Sequence, residues 1–249
     1  MRRVEQRERV KRRVPQRPRR PGWLAEELWQ GETVFMLGGG PSLKDVNYDL
    51  IKDRKVIAVN NAYGDPILGE EPATGKHGQR EVTYAPREWV DAVFFGDQRW
   101  YEWHHKSLMG FKGMIVTVRA PLHGRNRVLS LHRGASEGLE TRREFLAWNK
   151  SSGGCAINLA SHLGAKTIVL LGYDMRRVDD KANWHDDHPA PNKNPYERFL
   201  LPYNRVAKEA KKLNIEIINC TPGSAITHFP MMSLEEFIVR EPMKECSNV

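Results

Sequence analysis

The chain has 249 residues, 40% hydrophobic and 28% charged, with a formal net charge of +8 at pH 7. That length can bury a full core as one large α/β domain. No run approaches the roughly 18 to 20 apolar residues of a membrane span, and no apolar segment follows the N-terminal arginines as a secretory signal requires.

The expected location is the cytoplasm. Cys155, Cys220 and Cys246 are odd in number and contain no CxxC pair, so they suggest neither a disulfide framework nor a zinc site. The positive charge is local. Residues 1–20, MRRVEQRERVKRRVPQRPRR, hold ten Lys/Arg and two Glu, leaving 29 basic and 29 acidic residues in the rest of the chain. Such a segment buries too little apolar surface to order itself, so residues 1–22 are expected to be a flexible basic arm on a domain spanning 23–249. The arm is either a solvated tail, or the product of a start codon placed too early, or a contact for nucleic acid, anionic lipid or an acidic protein.

In chain order, the first β-rich run is TVFMLG (33–38), which stops at Gly38-Gly39-Gly40 followed by Pro41, Ser42 and Leu43. Next come KVIAVNNA (55–62) and a polar, Pro/Gly-punctuated stretch over 64–90. DAVFFGD (91–97) precedes an amphipathic helix whose WYEWHH segment places His104 and His105 among aromatics, where ordinary packing is the expected role. After GMIVTVRA (113–120), a helix is expected over 153–164 and a strand over 166–174, KTIVLLGYD. A second polar loop covers 175–194, a helix divided by Pro202 covers 195–214, and IEIINCT (215–221) is the last strand. Strands apolar on both faces and separated by helices imply a Rossmann-like α/β fold, a mainly parallel sheet with helices on both faces. The loops near 64–90 and 175–194 are insertions of the length used for lids or binding loops.

Open parallel sheets bind ligands beyond the carboxyl ends of their strands. The residues at those ends are Gly38, Gly39, Gly40 and Ser42, then Asn60 and Asn61, Gly96 and Asp97, and Gly172, Tyr173 and Asp174. Glycine lets backbone N–H groups approach a phosphate or ribose, and a following hydroxyl can bind the same oxygens. The run is neither a Walker loop nor GxGxxG, and a plain tight turn is the alternative. Ser151, Ser152 and Gly153 open a helix whose N-terminal amides suit an anion.

GGGPSL, VNNAY, SSG and LGAKTIVLLGYD occur in this order over roughly residues 31–230. Together they resemble the small bacterial CMP-sialic-acid-dependent sialyltransferases. The resemblance extends to a wider group with the same Gly-Pro-Ser-Leu opening, which includes flagellin-modifying glycosyltransferases and an archaeal hydroxymethylpterin diphosphokinase. It implies that Gly38, Gly39, Gly40 and Ser42 lie near the phosphate and ribose of a nucleotide. It further implies that Asn60 holds the nucleotide or its sugar, Ser151, Ser152 and Gly153 the sugar or phosphate, and Gly172 and Asp174 the cytidine end. Three positions depart from the pattern: Gly39 replaces an Asn, Gly96 with Asp97 one step along replaces another, and Arg176 replaces a Tyr.

NWHDDHPAPNKNPY (183–196) carries the densest polar chemistry. Glycosyl transfer needs a base for the acceptor hydroxyl, and histidine has a suitable unperturbed pKa near 6.5. The resemblance implies a His in this loop, His188 or His185, with His188 favoured. A second reading makes His185, Asp186, Asp187 and His188 ligands of a divalent ion such as Mg that neutralises a diphosphate. A third is a solvated polar loop.

The favoured function is a nucleotide-sugar-dependent glycosyltransferase with a CMP-sugar donor and an unknown acceptor. The rivals are a Mg-dependent diphosphotransferase acting on a small molecule, a non-catalytic nucleotide-binding or scaffold protein, and a nucleic-acid-associated modifying enzyme that uses residues 1–20 to find its polymer.

Overall fold

The computed structural model describes residues 22–67, 83–185 and 195–241, with the backbone of 73–75 and 79–81. The basic arm, Asp186, Asp187, His188 and Cys246 lie outside the described residues.

Seven strands form one sheet: β1 (Thr33–Leu37), β2 (Lys55–Val59), β3 (Ala92–Phe95), β4 (Met114–Thr117), β5 (Val128–Ser130), β6 (Thr167–Leu171) and β7 (Glu216–Asn219). Their order is β7-β6-β1-β2-β3-β4-β5. Every pairing is parallel. Each strand is short, apolar and rich in Val, Ile, Leu and Phe, the composition of a strand buried on both faces.

Alternate strand residues feed two separate cores. Val34, Met36, Ile57, Val59, Phe94, Ile168 and Leu170 pack with helices α2 (Ser152–His162) and α4 (Tyr203–Lys212) on one face. Phe35, Leu37, Val56, Ala58, Phe95, Val169 and Leu171 pack with α1 (Gln98–Leu108) and α5 (Leu234–Arg240) on the other. This is the expected Rossmann-like arrangement, with helices on both faces. Each large aliphatic or aromatic side chain so buried contributes roughly 1.5 to 3 kcal/mol.

The helix expected over 195–214 is divided at Pro202 into α3 (Tyr196–Leu200) and α4. Pro202 lacks the N–H that an unbroken helix would use, and it starts α4 instead. The 64–90 stretch is not featureless. Gly64–Pro66 pairs antiparallel with Tyr84–Pro86, and beyond them Ala73–Gly75 pairs with Gln79–Glu81, giving a two-tiered hairpin. Among the described residues no helix is long and apolar enough to cross a membrane.

Candidate functional site

The chain runs outward from β1 through β2, β3, β4 and β5, then returns to lay β6 on the other side of β1. Connections therefore diverge between β1 and β6, and in an open α/β sheet that point leaves a crevice at the carboxyl ends. A cavity of about 530 Å³ lies there. Gly39, Gly40, Asn60, Asp97, Ser151, Ser152, Gly153, Gly172, Asp174 and His185 all line it. Residues scattered over most of the sequence thus meet at one place.

Gly38 and Ser42 are not in the wall. The Gly38 and Gly40 amides donate to Leu171 O at 2.7 Å and Gly172 O at 2.8 Å, so the turn after β1 is stitched to the end of β6. A Cβ at Gly38 would overlap the Gly172 carbonyl oxygen; one at Gly40 would overlap Asp174 Oδ2 and come within 2.8 Å of Gly172 O. Gly39 differs, since the nearest atom to its Cβ position is Asn183 Oδ1 at 3.7 Å. Of the three glycines, the outer two permit chain-to-chain approach and the middle one faces open space.

Asp174 is 1% exposed and is held by Ser42, whose Oγ donates to Oδ2 at 2.8 Å and whose N–H donates to Oδ1 at 3.3 Å. Burial raises its pKa above the ordinary carboxylate value, and the Ser42 hydroxyl and amide oppose the shift by stabilising the anion. Ser42 therefore acts through Asp174, fixing the carboxyl that faces the cavity.

Asn60 follows β2 in a left-handed conformation, φ 52°, which asparagine tolerates better than most residues. Its side-chain oxygen is buried and has no hydrogen-bond partner. A buried acceptor without a partner costs about 1 to 3 kcal/mol, so Asn60 Oδ1 is suited to receive a donor group at this site. Its neighbour Asn61 is fully engaged, donating to Tyr84 Oη at 2.8 Å and accepting from Trp100 Nε1 at 2.6 Å.

Ser151 is the N-cap of α2; its Oγ accepts from Gly154 N at 3.1 Å, leaving the Ser152 and Gly153 amides in the open first turn. Two buried asparagines set this turn. Asn149 accepts from Gly138 N at 2.7 Å and donates to Gly138 O and Gly154 O, both at 2.9 Å. Asn158 accepts from Glu140 N and Ala147 N, both at 2.8 Å, so the loop before α2 is pinned to the helix it introduces. Asp97 caps α1 by accepting from Arg99 N at 3.0 Å, and its side chain is exposed at the cavity rim.

His104 was expected to pack, and it does: it is 1% exposed, stacked on Trp100 with centroids 4.3 Å apart, and bonded through Nδ1 to Tyr63 Oη at 3.2 Å. It also forms part of the cavity wall. Burial, and secondarily the nearby His185, push its pKa down to about 3, so it is neutral at physiological pH. Trp148, which no sequence motif marks, is a further wall residue. Its ring fills the space beside Gly96, where a Cβ would stand 2.7 Å away.

One cation joins the base of the 64–90 hairpin to the 175–185 loop. The Arg87 guanidinium binds Asp65 through two nitrogens, donates to Ala62 O at 3.1 Å, and lies 4.5 Å from the Tyr48 ring and 5.5 Å from the Trp184 ring. The Trp184 backbone N–H donates to Gly39 O at 3.2 Å, which brings the 175–185 loop down onto the glycine turn. His185 follows it into the wall.

Among the described residues no group of three or more His, Cys, Asp or Glu side chains is placed to hold a metal ion. Both carboxylates of the cavity are already engaged, Asp174 by Ser42 and Asp97 by the amide of Arg99. Cys155 and Cys220 are buried free thiols whose pKa values burial pushes up, which leaves them unreactive.

No protein-family model matches the chain, and no curated protein does. Among solved structures the chain is similar to the sialyltransferase CstII from Campylobacter jejuni, determined in complex with a substrate analogue, cytidine-5'-monophosphate. Identity is 16%, with 82% of this chain and 86% of that one covered and a TM-score of 0.49.

Proposed function

We propose that the chain is a nucleotide-sugar-dependent glycosyltransferase, with a CMP-sugar as donor and a hydroxyl group as acceptor. The observation that carries the reading is the convergence, on one cavity at the β1/β6 divergence, of an unmade buried acceptor (Asn60 Oδ1) and the open first turn of α2. The first suits the N–H or O–H edge of a nucleoside, and the second suits its phosphate.

In the reaction, the bond between the anomeric carbon and the donor phosphate oxygen breaks, and the phosphate keeps the electron pair. The Ser152 and Gly153 amides stabilise that charge as it develops. The acceptor oxygen bonds to the anomeric carbon and gives its proton to a histidine of the 183–196 loop, His188 by preference and His185 otherwise.

The test is a thermal-shift screen of the full chain with CMP, UDP, GDP, ADP and ATP, each with and without Mg²⁺. A ligand at about 100 times its Kd stabilises the folded state by about 2.7 kcal/mol. Strongest stabilisation by CMP, without a requirement for Mg²⁺, supports the reading. Stabilisation by ATP that depends on Mg²⁺ selects the diphosphotransferase instead. Donor hydrolysis by His185→Ala and His188→Ala then separates the chemistries. Loss of a general base lowers turnover about 10² to 10⁴-fold with nucleotide affinity retained, whereas loss of a metal ligand lowers both together and a chelator mimics it.

A further inference from the structure

A second cleft, of about 670 Å³, adjoins the first and shares Trp148, Lys150 and Arg198 with it. Arg133, Gly134 and Ser136 complete its wall, which contains no carboxylate. Lys150 is neutralised by Glu137 at 2.7 Å. Arg133 and Arg198 have no carboxylate partner among the described residues, and both are exposed. Outside residues 1–20 the chain holds equal numbers of acidic and basic residues, so this surplus is specific to the cleft and does not follow from overall composition.

Arg133 is also held in place. Its guanidinium lies 4.0 Å from the centroid of the Trp148 ring, and the Trp148 backbone N–H donates to Ala135 O at 2.8 Å. Stacking restrains the side chain while leaving its N–H groups free for an anion. Lys150, at the junction of the clefts, follows Asn149, and both are left-handed with φ 57° and 48°, a conformation sustained by the three hydrogen bonds of the Asn149 amide.

We propose that this second cleft is the acceptor subsite, and that the acceptor carries an oxyanion, a carboxylate or a phosphate monoester, bound by Arg133 and Arg198. Guanidinium groups match the paired oxygens of both anions. An acceptor so anchored reaches past Trp148 to present its hydroxyl in the first cavity. The assignment rests on the reading of the first cavity as the donor site.

The test is calorimetric titration of the full chain with galactose, galacturonate and galactose 6-phosphate, with and without CMP. Wild type, Arg133→Gln and Arg198→Gln are compared. At least one anionic sugar is expected to bind tenfold or more tightly than galactose, and each substitution is expected to weaken it about tenfold, as for a lost charge-assisted hydrogen bond. The tighter anion identifies the oxyanion, and either identity supports the proposal. CMP affinity should be unchanged in Arg133→Gln, because Arg133 does not line the first cavity. Equal affinity for galactose and both anions, or anion affinity retained in both variants, would overturn the proposal. So would a loss of CMP affinity in Arg133→Gln as large as the loss for the anion, since the cleft would then belong to the donor. If wild type fails to bind CMP, the donor reading fails on its own, and the titrations without CMP still decide whether the cleft holds an anion.

Discussion

Gly39→Ala and Gly40→Ala should behave in opposite ways, although the residues are adjacent. Gly40 has φ −75° and ψ 159°, a conformation alanine adopts freely, so the substitution tests contact and not backbone strain. Its methyl group would overlap Asp174 Oδ2, and the carboxyl must move away from Ser42. Hydrogen bonds to a charged group contribute roughly 1.5 to 3 kcal/mol, and forcing a methyl into filled space costs roughly 1 to 3. A loss of about 2.5 to 6 kcal/mol follows, which in a domain of this size lowers Tm by about 5 to 24 °C. At Gly39 the nearest atom is 3.7 Å from the added carbon, so Tm should stay within about 2 °C of wild type. The methyl instead enters the cavity, and CMP affinity should fall. Differential scanning fluorimetry with a CMP titration measures both quantities. Equal Tm values for the two variants would refute the division of labour among the glycines.

Asn60→Ala and Asn60→Gly should both weaken CMP binding about tenfold, because both delete the unmade acceptor; glycine additionally relieves φ 52° and so separates strain from contact. Full affinity in the glycine variant, read by calorimetry, would show that Oδ1 meets no ligand. His104, held down to about 3 when folded against an ordinary 6.5, binds fewer protons folded than unfolded between those values. Its contribution to stability is therefore complete above about pH 6.5 and is lost at up to about 1.4 kcal/mol per pH unit as pH falls toward 3. His104→Phe should flatten the dependence of urea-unfolding stability on pH between 7 and 5, and an unaltered slope would show that another group carries it.

The parallel sheet was legible because six of its strands are uninterrupted apolar runs, and their ends could be read as ligand positions from topology alone. β5 was not legible: Val128–Ser130 has only three residues beside two arginines, too few to show a period. α5 carries a capping box between Ser233 and Glu236, and its sequence signal is the Ser-x-x-Glu spacing of SLEEF. Sequence could not separate a glycine that admits a ligand from one that admits another strand. Gly38 and Gly40 meet β6 only because residues far along the chain return beside them. The basic cleft was hidden for a similar reason: Arg133, Lys150 and Arg198 are unremarkable in sequence, and converge only through the loop pinned by Asn149 and Asn158.

The placement of β1 also sets an order of events during synthesis. Its inner edge can pair with β2 soon after both leave the ribosome, but its outer edge waits for β6, with Thr33 opposite Thr167. Until then a row of backbone donors and acceptors from Thr33–Leu37 stands open in an apolar strand, the kind of edge that recruits other chains. Nascent or truncated forms ending before residue 171 should therefore aggregate or occupy chaperones, whereas β1–β6 pairing both closes that edge and docks the glycine turn onto Leu171 and Gly172. Solubility and a formed site should accordingly be gained in the same late step.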